Sequence, residues 1–339
     1  MKKTLKTFLL AFGAIAASNS AFATKNIENP LYLPSAGEFY SKTGAGIMYK
    51  KADDTFAMQK KGKHGSIDFP VWRFTEDLGY GITEKLSVNG RFGWTQDDDA
   101  NRKGMHRGRL GLMYRIFDDS VGFVWDVYAD AYLSGLSAMK GSYDSEGFTY
   151  DNYSNGRWGV YGGTRFGKTW SRFTLAAYFE YLQTFGNHNN EIELKSFDLS
   201  AMGMGTIPAS NLGFPKKISV NLKSVHEINF GINGFYQLSH RWSVGGGFEF
   251  NEHRDNGIKS IHTDLGSANP AIVQGLLEQT ADMHEGWQEY IIKTVLAYQI
   301  TDTTQLSWFS EYTFDRSHFN SQNGTDIKIE TGIRANIKF

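Results

Sequence analysis

No cysteine occurs in the 339 residues, so disulfides, thiolate catalysis and zinc–thiolate sites are closed to this chain. Long apolar runs are missing too. Beyond residue 23 nothing reaches the roughly 18 consecutive apolar residues that a membrane-crossing helix needs. Charge of one sign is also lacking: 35 basic residues stand against 36 acidic ones. Such a balance carries no signature of a polyanion-binding protein, and no basic–aromatic patch of the nucleic-acid type appears, so no nucleic-acid partner is expected. The 9 histidines are scattered and make no HExxH or close i, i+4 pair, so the sequence gives no metal site. Its glycines form no phosphate loop, and no cofactor is implied.

What is present begins with a processing segment. Lys2, Lys3 and Lys6 are a positive start, Phe8 to Ala17 an apolar middle, and Ala21-Phe22-Ala23 a small-x-small end. Those three features together predict a secretory signal peptide over residues 1–23, cleaved near Ala23. Removing its three lysines leaves 32 basic against 36 acidic residues in the mature part. Mean hydropathy is −0.41, yet aromatics are 15% and 37 glycines stand against 6 prolines. A lipid-embedded barrel produces that combination, because only every second strand residue meets lipid.

Period-two alternation is the main signal. The last segment, Asp326 to Phe339, sets Ile327, Ile329, Ile333, Ile337 and Phe339 on one face and Lys328, Glu330, Arg334, Asn336 and Lys338 on the other. No helix stripe has that period. Short connections such as Thr83-Glu84-Lys85 and Ser239-His240-Arg241 alternate with long polar ones such as Gly186–Val225 and Asp255–Glu285. Short periplasmic turns and long external loops characterise outer-membrane barrels. The expected fold is all-β, a single antiparallel transmembrane β-barrel of about 12 strands over residues 37–339, preceded by a short periplasmic extension over 24–36. Fourteen strands are possible if Glu191–Leu199 and Ile218–Val225 pair within the wall.

Parity assigns the faces. Leu110, Leu112, Phe123, Trp125, Val127, Phe230, Ile232, Val244, Phe248, Leu296 and Trp308 point to lipid, and Tyr80, Tyr114, Phe166, Trp170, Phe173, Tyr236, Trp242, Tyr298 and Phe339 crowd the turn-side ends as an interfacial girdle. Glu76 resists: it shares its face with Trp72, Phe74, Leu78 and Tyr80, so either a bulge shifts the strand or Glu76 lies higher than this placement. The inward set gathers Arg73, Arg91, Arg107, Arg109 and Arg115 on early strands and Glu227, Glu249, Glu289, Glu311 and Asp315 on late ones. In a 12-stranded ring these would make a basic wall facing an acidic wall, as pores use charge to select permeants. The other outcome is that the walls pair, with Asp126, Asp130 and Glu180 interdigitating, and fill a narrow lumen.

Three motifs carry resemblances. The alternating last strand ending on Ile333, Ile337 and Phe339 resembles the assembly signal of outer-membrane barrels, which implies the barrel-assembly machinery and outer-membrane lipid as partners and the outer membrane as location. Tyr80-Gly81-Ile82-Thr83-Glu84-Lys85-Leu86 is similar to turns common in bacterial barrel families. Ser154-Asn155-Gly156-Arg157 resembles part of outer-membrane phospholipase sites, but the place of their activating histidine holds Asn152. Ser-Asn-Gly is also a turn composition, so no catalytic residue is assigned and the chain reads as a non-enzyme. Asn269-Pro270 before Ala271–Asp282 reads as a helix start in a loop. Thr24–Pro34 is too short for a plug domain. The expected function is a passive porin-like channel whose partners are small hydrophilic or zwitterionic solutes. The alternative is a closed barrel acting as a surface adhesin or structural protein through its loops, with an outer-membrane lipid hydrolase a distant third.

Overall fold

A computed structural model describes residues 25–51, 71–97, 102–118, 122–133, 138–145, 147–150, 156–200, 203–254, 258–265, 273, 287–318 and 327–339. The predicted signal peptide, Ser154 and nearly all of the loop helix expected after Asn269 lie outside these residues.

Twelve antiparallel strands close on themselves: β1 (Phe39–Lys51), β2 (Val71–Gly81), β3 (Leu86–Asp97), β4 (Arg102–Asp118), β5 (Phe123–Tyr132), β8 (Arg157–Trp170), β9 (Phe173–Asn187), β14 (His226–Gln237), β15 (Trp242–Arg254), β17 (Trp287–Gln299), β18 (Thr304–His318) and β19 (Ile327–Lys338). The seam joins β1 to β19 over twelve residue pairs, from Tyr40 opposite Lys338 to Lys51 opposite Ile327. Closure matters because lipid offers no partner to an unpaired backbone group, so an open sheet edge cannot stay there. The tightest turn, Ser171-Arg172 between β8 and β9, places Ser171 at φ 47° to reverse the chain in two residues.

Exposure along the strands follows the alternation. On β4, Leu110 and Leu112 are about half exposed while Arg109 and Arg115 are 8% exposed. An apolar outside and a polar inside identify a wall with lipid on one side and a polar lumen on the other. Of the expected girdle, Tyr80, Tyr114, Phe166, Trp170, Tyr236, Trp242 and Phe339 are exposed, while Phe173 and Tyr298 are half-buried. The assembly-signal residues Ile333 and Phe339 project outward as well, and the Phe339 backbone pairs with Phe39.

Glu76 is indeed on the lipid face. No register shift interrupts β2 against β1 or β3, so no bulge turns it inward. Instead the next strand supplies donors: Ser41 Oγ and Thr43 Oγ1 each reach one carboxylate oxygen at 2.6 Å. Changing Ser41 and Thr43 together to Ala is expected to lower stability by about 1–3 kcal/mol, the cost of stripping donors from a shielded acceptor. Adding Glu76→Leu should recover that loss, which urea unfolding in lipid bilayers would measure.

The long loops hold the strands that raised the 14-strand alternative. β10 (Asn190–Leu194) does pair with β13 (Lys217–Leu222), but outside the barrel. With β6 (Lys140–Asp144), β7 (Gly147–Tyr150) and β16 (Ile258–Ile261) they build a separate five-stranded sheet, ordered β16-β13-β10-β6-β7. A small hairpin, β11 (Ser196–Asp198) with β12 (Thr206–Pro208), lies beside it. Three different loops therefore share one sheet, with a core of Met139, Ile192, Leu194, Ile218, Val220 and Leu222. This cap is tied to the wall at Gly156, whose φ of +67° and contact with Asn190 leave no room for a side chain. Arg157, from the Ser-Asn-Gly-Arg motif, is buried there and donates to the Lys223 carbonyl at 2.7 Å. That is a structural brace between barrel and cap.

Candidate functional site: the barrel lumen

The lumen has three layers. At the short-turn end it is crossed by the segment that precedes β1, expected to be a short periplasmic extension. Residues 25–36 run inside the barrel. Two asparagines shape the segment locally: Asn26 Oδ1 accepts from the Glu28 N–H at 2.9 Å, and Asn29 Oδ1 from the Leu31 N–H at 2.8 Å. Such turns let a short polar stretch fold without a helix or strand. The outward amides of the same residues reach the wall: Asn26 Nδ2 donates to Ser243 and Asn29 Nδ2 to Thr174. Leu31 packs on Val124 and Ala176 and is almost fully buried. Twelve residues are too few for a folded domain, but they suffice to cross a 12-stranded lumen, whose diameter strand number limits.

The barrel grips this segment by its backbone. Arg115 Nη2 donates to the Leu31 carbonyl at 2.6 Å, and Arg165 reaches the Pro30 and Tyr32 carbonyls at 3.0 and 2.7 Å. Both guanidiniums are aimed by one carboxylate. Asp126, with no exposed surface, takes Arg115 Nε at 2.8 Å and Arg165 Nε at 2.6 Å. Asp126 and Arg165 are legible as inward by parity on β5 and β8, but what they hold is not.

Across the segment Glu28 lies near Lys42 and Arg334, each at 3.6 Å, and accepts from Asn336 at 2.9 Å. Burial pushes its carboxyl up, but those two cations and the Asn336 amide outweigh that and bring it from 4.5 down to about 2. A carboxyl depressed on folding adds stability that is fully present above pH 4.5 and is lost as pH falls through about 2. The grip on residues 25–36 is therefore expected to loosen in acid, seen as faster proteolysis of the N-terminal segment below about pH 3 by an acid protease.

In the middle layer the side chains leave a cavity of about 430 Å³. Arg109 sits on its wall, stacked over the Tyr161 ring at 3.4 Å from the centroid. Its Nη1 lies 3.4 Å from Glu180 and its Nε 3.7 Å from Asp130. Tyr128 donates to Glu180 at 2.8 Å, and Tyr178 donates to Glu249, which also takes Lys293. Arg91 pairs with Asp77 at 3.0 Å.

Towards the cap, Tyr161 donates to Glu227 at 2.7 Å, and His253 Nδ1 lies 3.2 Å from the other oxygen. Lys328 pairs with Glu289 at 2.7 Å, and Arg73 with Glu330. Glu311 lies in register with Lys293.

Of the two outcomes the sequence left open, opposed basic and acidic walls or charges that pair, the described side chains show local pairing. Arg73, Arg91, Arg109 and Arg115 each meet carboxylates, and Glu227, Glu249 and Glu289 each meet a basic side chain. The partners come mostly from the same or nearby strands. Adjacent strands lie only about 4.8 Å apart, so a neighbouring strand is far closer than the opposite wall, and Coulomb attraction favours the nearer charge. The side chains of Arg107 and Asp315 lie outside the described residues. The interdigitation of Asp126, Asp130 and Glu180 with arginines is present. Sequence reasoning missed Glu28, Lys42 and Arg165. For Lys42 and Arg165 strand parity was an available signal; for Glu28 there was none.

No family model matches the sequence, and no curated protein matches it. Among solved structures, the COG4313 outer membrane channel from Pseudomonas putida F1 is similar over 95% of this chain and 100% of its own, at 11% identity and a TM-score of 0.53. The TodX monoaromatic hydrocarbon channel aligns over 96% of this chain and 94% of its own, at 10% identity and a TM-score of 0.42. The NanC porin aligns over 85% and 98%, at 8% identity and a TM-score of 0.38. At such identities the first of these likenesses shows a common barrel fold.

Proposed function

We propose that the chain is an outer-membrane channel that passes small hydrophilic or zwitterionic solutes through its lumen. The observation that carries this reading is the middle layer, where paired charges and tyrosines surround a polar cavity of about 430 Å³ inside a wall with an apolar outer face. A barrel serving only as an anchor would gain more from an apolar lumen, since buried ion pairs are weak contributors to stability. Insertion would run through the barrel-assembly machinery, reading Ile333, Ile337 and Phe339 at the last strand, into outer-membrane lipid.

Purified protein in a planar bilayer is expected to give a small but measurable ionic conductance, because the segment 25–36 narrows one end of the path. Complete absence of current under all voltages would overturn the channel reading. The second reading, a surface-binding protein acting through its loops, is favoured by one observation: the cap has a hydrophobic core of its own. Excising β10 to β13 with a short linker would abolish cell-surface or partner adhesion on that reading, while leaving conductance intact.

A further inference from the structure

Three side chains on the wall of the middle cavity carry buried polar atoms that make no hydrogen bond, although Arg109 Nε lies 3.7 Å from Asp130. Arg109, Asn229 and Asn251 are each more than nine-tenths buried, and all three line the cavity. Arg109 Nε and Nη2 and the Oδ1 atoms of Asn229 and Asn251 make no hydrogen bond. Buried polar atoms in folded proteins nearly always find a partner, so an orphaned set in one place asks for something that binds there.

Their chemistry is directional. The Asn229 amide spends its Nδ2 on Glu180 at 3.3 Å and on Glu227 at 3.0 Å. Two carboxylates can only accept, so the remaining free atom of Asn229 is its carbonyl oxygen. Asn251 stands directly opposite Asn229 across β14 and β15. Glu180 holds Arg109 on one oxygen and Asn229 on the other. A guanidinium needing acceptors and two amide oxygens needing donors are therefore neighbours around one carboxylate.

We propose that this cluster is a subsite for a small zwitterion of the α-amino-acid type, with its carboxylate on Arg109 and its ammonium on the oxygens of Asn229 and Asn251. The assignment rests on the reading that solutes enter the lumen, and it narrows that reading to a class. A guanidinium matches a carboxylate in charge and in fork geometry. A lone anion would meet Asp130, Glu180 and Glu227 around the same cavity, and a lone cation would meet Arg91 and Arg109. The cavity is lined by seven acidic and six basic side chains, a near balance that suits a ligand with both charges and no net one. A sugar or other polyol would offer hydroxyls but would bring no charge to the buried guanidinium.

Equilibrium dialysis of the full chain in detergent with radiolabelled L-alanine tests the assignment. Saturable alanine binding is expected, with competition at least about tenfold weaker by lactate, isopropylamine or glucose, since each lacks one or both charged hydrogen-bonding ends. Arg109→Gln should weaken alanine binding by about tenfold or more, and Asn251→Leu should weaken alanine while leaving lactate unchanged. Glucose competing as well as alanine would overturn the zwitterion in favour of a polyol. No saturable alanine binding would leave these atoms to ordered water and also overturn it. Because dialysis reads occupancy and the bilayer reads current, a conducting protein that binds no alanine would refute the subsite alone.

Discussion

Removing residues 25–33 should raise the single-channel conductance several-fold over the intact chain while leaving the barrel folded. The segment supplies no strand to the wall, and the seam between β1 and β19 is made without it. What it supplies is material in the lumen. Asn26, Asn29 and Leu31 touch β14, β15, β9 and β18, and Arg115 and Arg165 hold its carbonyls from β4 and β8. These contacts reach strands on opposite sides of the ring. Its stability contribution is moderate: burying Leu31 is worth about 1.5–3 kcal/mol, set against the entropy of ordering a dozen residues. A barrel with this many paired strands should tolerate that loss. Planar-bilayer recording of the deletion beside the full chain is the measurement, with heat-modified gel mobility to show that the shortened barrel still folds. Unchanged conductance would mean that the segment does not narrow the path.

The second large effect is expected at Asp126. This carboxylate has no exposed surface and bridges Arg115 and Arg165 at 2.8 and 2.6 Å. Asp126→Ala leaves two guanidiniums near one another with their shared counter-charge gone. Breaking a buried ion pair from one side costs about 3–5 kcal/mol, because the remaining charge is left uncompensated. The same change frees both arginines from the geometry that presents them to Pro30, Leu31 and Tyr32. Two readouts should therefore move together: urea unfolding in bilayers shifts to lower denaturant, and conductance rises towards that of the deletion. Asp126→Asn preserves shape and part of the hydrogen bonding, so its effect should be smaller on both. A loss of stability without a change in conductance would show that the clamp supports the wall but not the segment.

These two residue sets also mark where sequence reasoning stopped. Inward placement of Arg109, Arg115, Glu227 and Glu249 followed from alternation, because a strand side chain has only two faces to choose from. The lipid-facing exception at Glu76 was found for the same reason; the bulge offered for it is absent, and hydroxyls from the neighbouring strand bind its carboxylate. By contrast, which carboxylate each arginine meets depends on register and on side-chain reach across strands. Arg73 reaches over β1 to Glu330, and nothing in local sequence states that two segments 257 residues apart will lie two strands apart.

The sequence by itself determined the barrel, a strand number of about 12 with 14 left open, and the faces of most strand side chains, since period-two alternation and alternating connection lengths are local patterns that closure in lipid turns into a wall. Only the tertiary structure decided that Glu191–Leu199 and Ile218–Val225 contribute to a cap rather than to the wall, that the polar stretch over residues 25–36 folds into the lumen, and that the charges pair locally. Those outcomes rest on contacts between segments far apart in the chain. In such contacts distance and burial choose the partner, and composition alone records neither.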